Sequence, residues 1–116
     1  MSPHWQASPQ APLYEVKAGL FRGLSHPLRI RVLELLADGQ EHTVAELLEQ
    51  TELEASHLSQ HLAVLRHNRL VISERRGSHV HYRLFSPAVA DLLSVARRLL
   101  TELVDDVESL PKLPTP

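Results

Sequence analysis

Between Thr43 and Leu84 the spacing of apolar residues changes from a helical to an alternating period, and few folds accommodate that. Val44, Leu47 and Leu48 recur at helical spacing, and Leu58, Leu62 and Leu65 do so again after a turn at residues 51–54. Residues 80–84 then alternate apolar with polar, the period of a half-buried strand, and residues 70–74, opening on Leu70-Val71-Ile72, read as the strand beside it. Thr43 stands three residues before Glu46, the spacing of a capping box, so the first helix spans residues 43–50. The second runs over residues 55–68, and Arg76-Gly77-Ser78 supplies a tight turn between the strands. Two short helices joined by a turn and followed by a hairpin must pack across one another.

Placed on a helix, Leu58, Leu62 and Leu65 share one face, while Ser56, Gln60, Ala63 and His67 lie opposite. On the second strand Val80, Tyr82 and Leu84 point inward, leaving His79, His81 and Arg83 outward. Charge follows the same division. Residues 1–54 carry four basic and eight acidic side chains, residues 55–83 five and one, and residues 84–116 three and five. A chain of net charge −2 therefore concentrates its positive charge in the middle third, which also holds five of the eight histidines. Contact with phosphate depends on such a local patch and not on the overall isoelectric point.

The flanking segments read as helices. Leu13, Val16, Leu20 and Leu24 define one over residues 13–24, ended by Ser25-His26-Pro27, where Ser25 is placed to cap the next. That helix, residues 27–37, is apolar on more than one side, as a central helix must be, and Asp38-Gly39 stops it. From Ser86-Pro87 a long helix carries Val89, Leu92, Leu93, Ala96, Leu99, Leu100, Leu103, Val107 and Leu110. So apolar a terminal helix in a chain of 116 residues needs a second surface, most simply another subunit, with Leu13, Val16, Leu20, Leu92, Val95, Leu99 and Leu103 at the interface. Proline-rich residues 1–12 and 111–116 read as flexible tails around one domain, residues 13–110.

Absences narrow the function further. The chain has no cysteine, which removes disulfides, thiolate metal sites and thiol redox chemistry together. No apolar run is long enough to span a bilayer and no secretory signal is legible, so a cytoplasmic protein is expected. There is no glycine-rich phosphate loop, nucleophile elbow or catalytic carboxylate pair, and no enzyme activity or cofactor is expected.

The order helix, turn, polar-faced helix and basic hairpin is that of a winged helix-turn-helix, a mainly α fold with a small β-hairpin. In such a fold Ser56, His57, Ser59 and Gln60 read bases in the major groove, and Gln60 can pair with adenine through its amide. Arg66, Arg75, Arg76, His79 and Arg83 hold phosphates. The competing class is a winged-helix module that uses the same helix and wing to bind protein.

Leu24-Ser25-His26-Pro27-Leu28-Arg29-Ile30-Arg31-Val32-Leu33-Glu34-Leu35-Leu36 is similar to the opening "L-x-hP-x-R-x-x-I-L-x-L-L" of ArsR/SmtB-type repressors. Residues 56–66, Ser-His-Leu-Ser-Gln-His-Leu-Ala-Val-Leu-Arg, resemble their recognition helix "S-x-x-S-x-H-L-x-x-L-r". Leu70-Val71, Arg75-Arg76-Gly77 and Val80-His81-Tyr82-Arg83-Leu84 resemble their wing. The resemblance implies a homodimeric repressor on double-stranded, inverted-repeat operator DNA, released when an inducer or partner reorients the two recognition helices.

Departures from the family matter equally. Its thiolate sensors carry cysteines on the helix before the recognition helix, where residues 43–50 have none. Its terminal-helix sensors carry Asp, His, His and Glu, and the corresponding positions here are Ser86, Ala88, Leu99 and Glu102. One carboxylate does not hold zinc. His57 with His61, and His79 with His81, are pairs that could chelate a metal, which makes a histidine-based metal-responsive repressor the alternative. Against it, His61 matches the recognition motif's own histidine, His26 matches the family's turn, and the wing pair suits phosphate equally well. Asp105, Asp106 and Glu108 read as a solvated helix end. Because imidazoles change charge near neutrality, DNA affinity should weaken as pH rises from mildly acidic to mildly alkaline; a flat anisotropy titration over that range would contradict this.

Overall fold

A computed structural model describes residues 10–107. Its elements are α1 (Ala11–Gly23), α2 (Pro27–Leu36), β1 (His42–Thr43), α3 (Val44–Thr51), α4 (Ala55–His67), β2 (Val71–Arg76), β3 (His79–Leu84) and α5 (Pro87–Val107). The tails expected at residues 1–12 and 111–116 lie outside the described residues except for positions 10–12, as do Glu108 and Leu110. Ala11 and Pro12 open α1, because proline suits a first helical turn, where its missing N–H loses nothing.

The corner between α1 and α2 differs from the expectation that Ser25 caps α2. His26 is the N-cap, its Nδ1 accepting from the Leu28 amide at 3.1 Å. Ser25 turns back and donates to the Arg22 carbonyl at 2.7 Å. Arg29 donates to the carbonyls of Gly23 at 2.9 Å and Arg22 at 2.8 Å, satisfying acceptors that α1 leaves open at its end. An imidazole reaches the amide two residues on as a serine hydroxyl would, and its ring also packs on α4.

The capping box at Thr43 forms as its spacing predicts, with Oγ1 accepting from the Glu46 amide and Glu46 returning to Thr43. At the far end of α4, Arg69 adopts a left-handed φ of 60°, and the Leu70 amide donates to the Leu65 carbonyl at 2.9 Å, closing the helix. Gly77 takes φ 60° in the hairpin turn, the conformation glycine adopts without strain.

The hairpin carries a third strand that the sequence does not announce. β1 pairs antiparallel with β3, His42 opposite Tyr82 and Thr43 opposite His81, giving the order β1-β3-β2. Two residues are too few to show a period. His42 is buried there, its Nε2 2.8 Å from Asp38.

Val32, Leu33 and Leu36 of α2 meet Leu47 of α3 and Leu58, Leu62 and Leu65 of α4 in one core, closed by Leu70, Tyr82, Leu84 and Val89. Leu58 and Leu65 are wholly inaccessible, and each such leucine contributes on the order of 1.5–3 kcal/mol by leaving water. Only the start of α5 joins this core; Val95, Leu99, Leu100, Leu103 and Val104 farther along are exposed. Leu13 and Val16 are exposed too, because α1 turns its small residues inward. A Cβ on Gly23 would sit 2.7 Å from Leu70, and one on Gly19 3.1 Å from Asn68. Truncating Leu58 to alanine should cost about 2–5 kcal/mol of unfolding free energy, measurable by urea denaturation, and a loss below about 1 kcal/mol would contradict this packing.

Candidate nucleic-acid interface

Burial of Leu58, Leu62 and Leu65 fixes the rotation of α4 about its own axis, so Ser56, His57, Ser59, Gln60, Ala63 and His67 all face solvent. The expected polar edge is thus exposed, and the side chains at its N-terminal end are short. No side chain caps α4 at Glu54, so its first amides are left to water or to an incoming acceptor.

The hairpin register divides the basic residues between two faces. Arg75 stands opposite Val80, and Arg76 opposite His79. Alternation therefore puts Arg75 on the face of Tyr82 and Leu84, toward α4, and puts Glu74, Arg76, His79, His81 and Arg83 on the outer face. Arg66 of α4 reaches the inner face, its Nη1 donating to the Tyr82 hydroxyl at 3.3 Å. His79 and Arg83 are exposed as expected, whereas His81 is only half exposed, since β1 lies beside it.

Arg76 is not free. Its Nη2 donates to both carboxylate oxygens of Glu41 and, at 3.3 Å, to Glu74. His81 Nδ1 lies 3.8 Å from the same Glu41 carboxylate. The hydrogen bond from Arg76, with the nearby charges of Arg76, His81 and Arg83, holds the Glu41 carboxyl below its usual range. Glu41 precedes β1 by one residue and counts, in sequence, among the acidic first half of the chain. The basic third is thereby partly neutralised from outside itself. No local pattern could reveal this, because the two partners are 35 residues apart.

The histidines do not converge on a metal. His61 packs against His26 with ring centroids 4.4 Å apart, linking α4 to the corner before α2. Among the described residues, no group of three or more His, Asp or Glu side chains is placed to hold a metal ion. Burial, reinforced by the charges of His26, Arg29 and His57, pushes the His61 imidazole below its usual range. A depressed histidine favours the fold while it is neutral. Its contribution is full above the unfolded imidazole pKa and is lost as pH falls through the lowered folded value. His61→Gln should therefore flatten the acid side of the stability profile, and an NMR titration should place His61 below the ordinary imidazole range; a normal or raised value would contradict the packing.

A polar-faced helix anchored by leucines, preceded by a short helix and flanked by a β-hairpin, defines a winged helix-turn-helix DNA-binding protein. The family described as bacterial regulatory protein, arsR family, matches residues 26–73. A Mycobacterium tuberculosis protein, the uncharacterized HTH-type transcriptional regulator Rv0081, is 45% identical over 96 residues, covering 82% of this chain and 83% of its own length. The crystal structure of that protein superposes with a TM-score of 0.74 over 82% of this chain and 95% of that one. The probable mercury resistance operon repressor of Streptomyces lividans is 30% identical over 86% of this chain and 79% of its own. A solution structure from Mycobacterium bovis, Mb0332, described as a homodimeric winged helix-turn-helix DNA-binding domain, aligns with a TM-score of 0.77 at 26% identity, over 85% and 92% of the two chains. The present chain belongs to the ArsR family of bacterial transcriptional regulators.

Proposed function

We propose that the protein is a homodimeric repressor that binds an inverted-repeat operator and is released by an inducer, acting in the cytoplasm by binding and not by catalysis. The observation that carries this reading is the exposed polar edge of α4 beside a hairpin with cations on both faces. Ser56, His57, Ser59 and Gln60 read base edges, Gln60 through a two-point contact with adenine. Arg66 and Arg75 on the inner side, with His79 and Arg83 on the outer, hold the flanking phosphates. The role of Arg76 depends on its carboxylate partners.

Dimerisation rests on exposed apolar surface. Leu13 at 51%, Val16 at 70%, Val95 at 49%, Leu99 at 54% and Leu103 at 48% exposure, with half-buried Leu20 and Leu92, line the outer sides of α1 and α5. Large exposed apolar side chains gathered on two helices in this way are what a protein interface covers. A two-fold pair joined through these helices would present two copies of α4 to successive major grooves, which is why an inverted repeat is the fitting target. Repression is supported by the Streptomyces relative, which is named as a repressor, and dimerisation by the Mycobacterium bovis domain, which is described as homodimeric.

Binding to the promoter of the chain's own operon tests the reading. Gln60→Ala should weaken operator binding by about 1–3 kcal/mol, and Arg75→Ala should reduce the slope of log affinity against log salt by about one per protomer. Unchanged binding in both variants at physiological salt would refute the site assignment. In a reporter strain, deleting the gene should raise transcription from that promoter; a fall would make the protein an activator.

A further inference from the structure

The outer face of the wing bears the row Arg76, His79, His81 and Arg83, yet one carboxylate from outside the hairpin is set into it. Glu41 takes Arg76 through both of its oxygens, lies within 4 Å of His81, and feels the charge of Arg83. Glu74, on the same face, is the second acceptor on Arg76. Two carboxylates thus surround one guanidinium, and locally the face carries far less positive charge than the sequence implies.

The placement of Glu41 is not needed to hold the wing. β2 and β3 pair along their length, β1 fastens β3 from the other side, and Tyr82 and Leu84 are buried beneath. The Arg76 side chain is about half exposed, and ion pairs in such positions contribute little to stability because water solvates both partners. An arginine fork recognises carboxylate and phosphate with the same geometry. The guanidinium is therefore bound to a group that resembles a DNA phosphate, by a contact weak enough to exchange.

We propose that Glu41 is an internal counter-anion for the outer face of the wing, occupying Arg76 in the free protein and limiting how strongly that face holds the DNA backbone. This rests on the reading that the wing contacts phosphate. A DNA strand reaching the outer face must displace Glu41 from Arg76 or lie beside an uncompensated carboxylate, and either opposes binding. Removing the charge makes this face more positive by one unit per protomer, with Glu74 still beside Arg76. Because the backbone is the same in every sequence, the restraint acts on non-specific binding, and an operator is not needed to detect it.

The test uses the full-length protein and a mixed-sequence duplex of about 30 base pairs, long enough for the inferred dimer to span two successive major grooves, with affinity followed by fluorescence anisotropy across a sodium chloride series. Glu41→Gln, which keeps the side chain's size, should bind several-fold more tightly at low salt, with a salt slope steeper by about one per protomer. Arg76→Ala should change little in the parent protein and abolish the gain in the Glu41→Gln background. Thermal melting establishes that the variants are folded; if Glu41→Gln does not fold, Glu41 is structural and the proposal is wrong. Binding by the parent with an unchanged slope in folded Glu41→Gln overturns the counter-anion role alone, as does weaker binding in that variant. Binding by the parent that Arg75→Ala and Arg83→Ala leave untouched overturns the wing reading, and the proposal falls with it. Failure of the parent to bind the duplex even at low salt would overturn both.

Discussion

The rotation of α4 is the constraint on which the rest of the molecule depends. Three leucines on one side of that helix must be buried together, and Leu33, Leu36 and Leu47 surround them. A rotation large enough to expose one of them would cost on the order of kilocalories, and the same rotation would carry Ser56, Ser59 and Gln60 away from the surface they share. Core packing and the exposed polar edge are therefore one specification written on opposite sides of a helix. The short helix ahead of it and the hairpin after it contribute Leu47, Leu70 and Tyr82 to the same core, so their positions are set relative to the edge.

What the sequence made legible were features with a period. Helical spacing located all five helices of the described residues within a few residues, and alternation located β3, because burial on one side imposes a repeat; β2, opening on an unbroken apolar run, was legible as its partner across the Arg76-Gly77-Ser78 turn. β1 escaped, having only two residues and no repeat to show. The cap of α2 was placed one residue early, since serine is the commoner cap and the histidine acts through the same acceptor geometry. For the interface, the exposed edge of α4 was readable residue by residue. The division of Arg75 from Arg76 was implicit in the alternation already used for β3, once the register joined the strands. Glu41 was beyond reach because its partner is far away in the chain.

The family motif acquires a physical account in the corner between α1 and α2. His26 satisfies an amide at the start of α2, Arg29 satisfies carbonyls at the end of α1, and the His26 ring lies on His61 of α4. Pro27 starts the helix between them. The histidine, proline and arginine of that motif join three helices, two through their hydrogen-bonding ends and the third through an aromatic contact. That is a structural role, and it accounts for two histidines of a histidine-rich chain through capping and packing.

The glycine face of α1 has a mechanical corollary. Helices that interlock through large side chains resist sliding, because each knob must climb out of its hole before the helix can advance. Gly19 and Gly23 present backbone and hydrogen to Asn68 and Leu70, offering no knob on that side, while the carbonyl clasp of Arg29 tethers only the last turn. Leu20 and Leu24 supply the knobs instead, packing against the leucine core, so the segment is held by two side chains beside its glycine contact and by the clasp at its end.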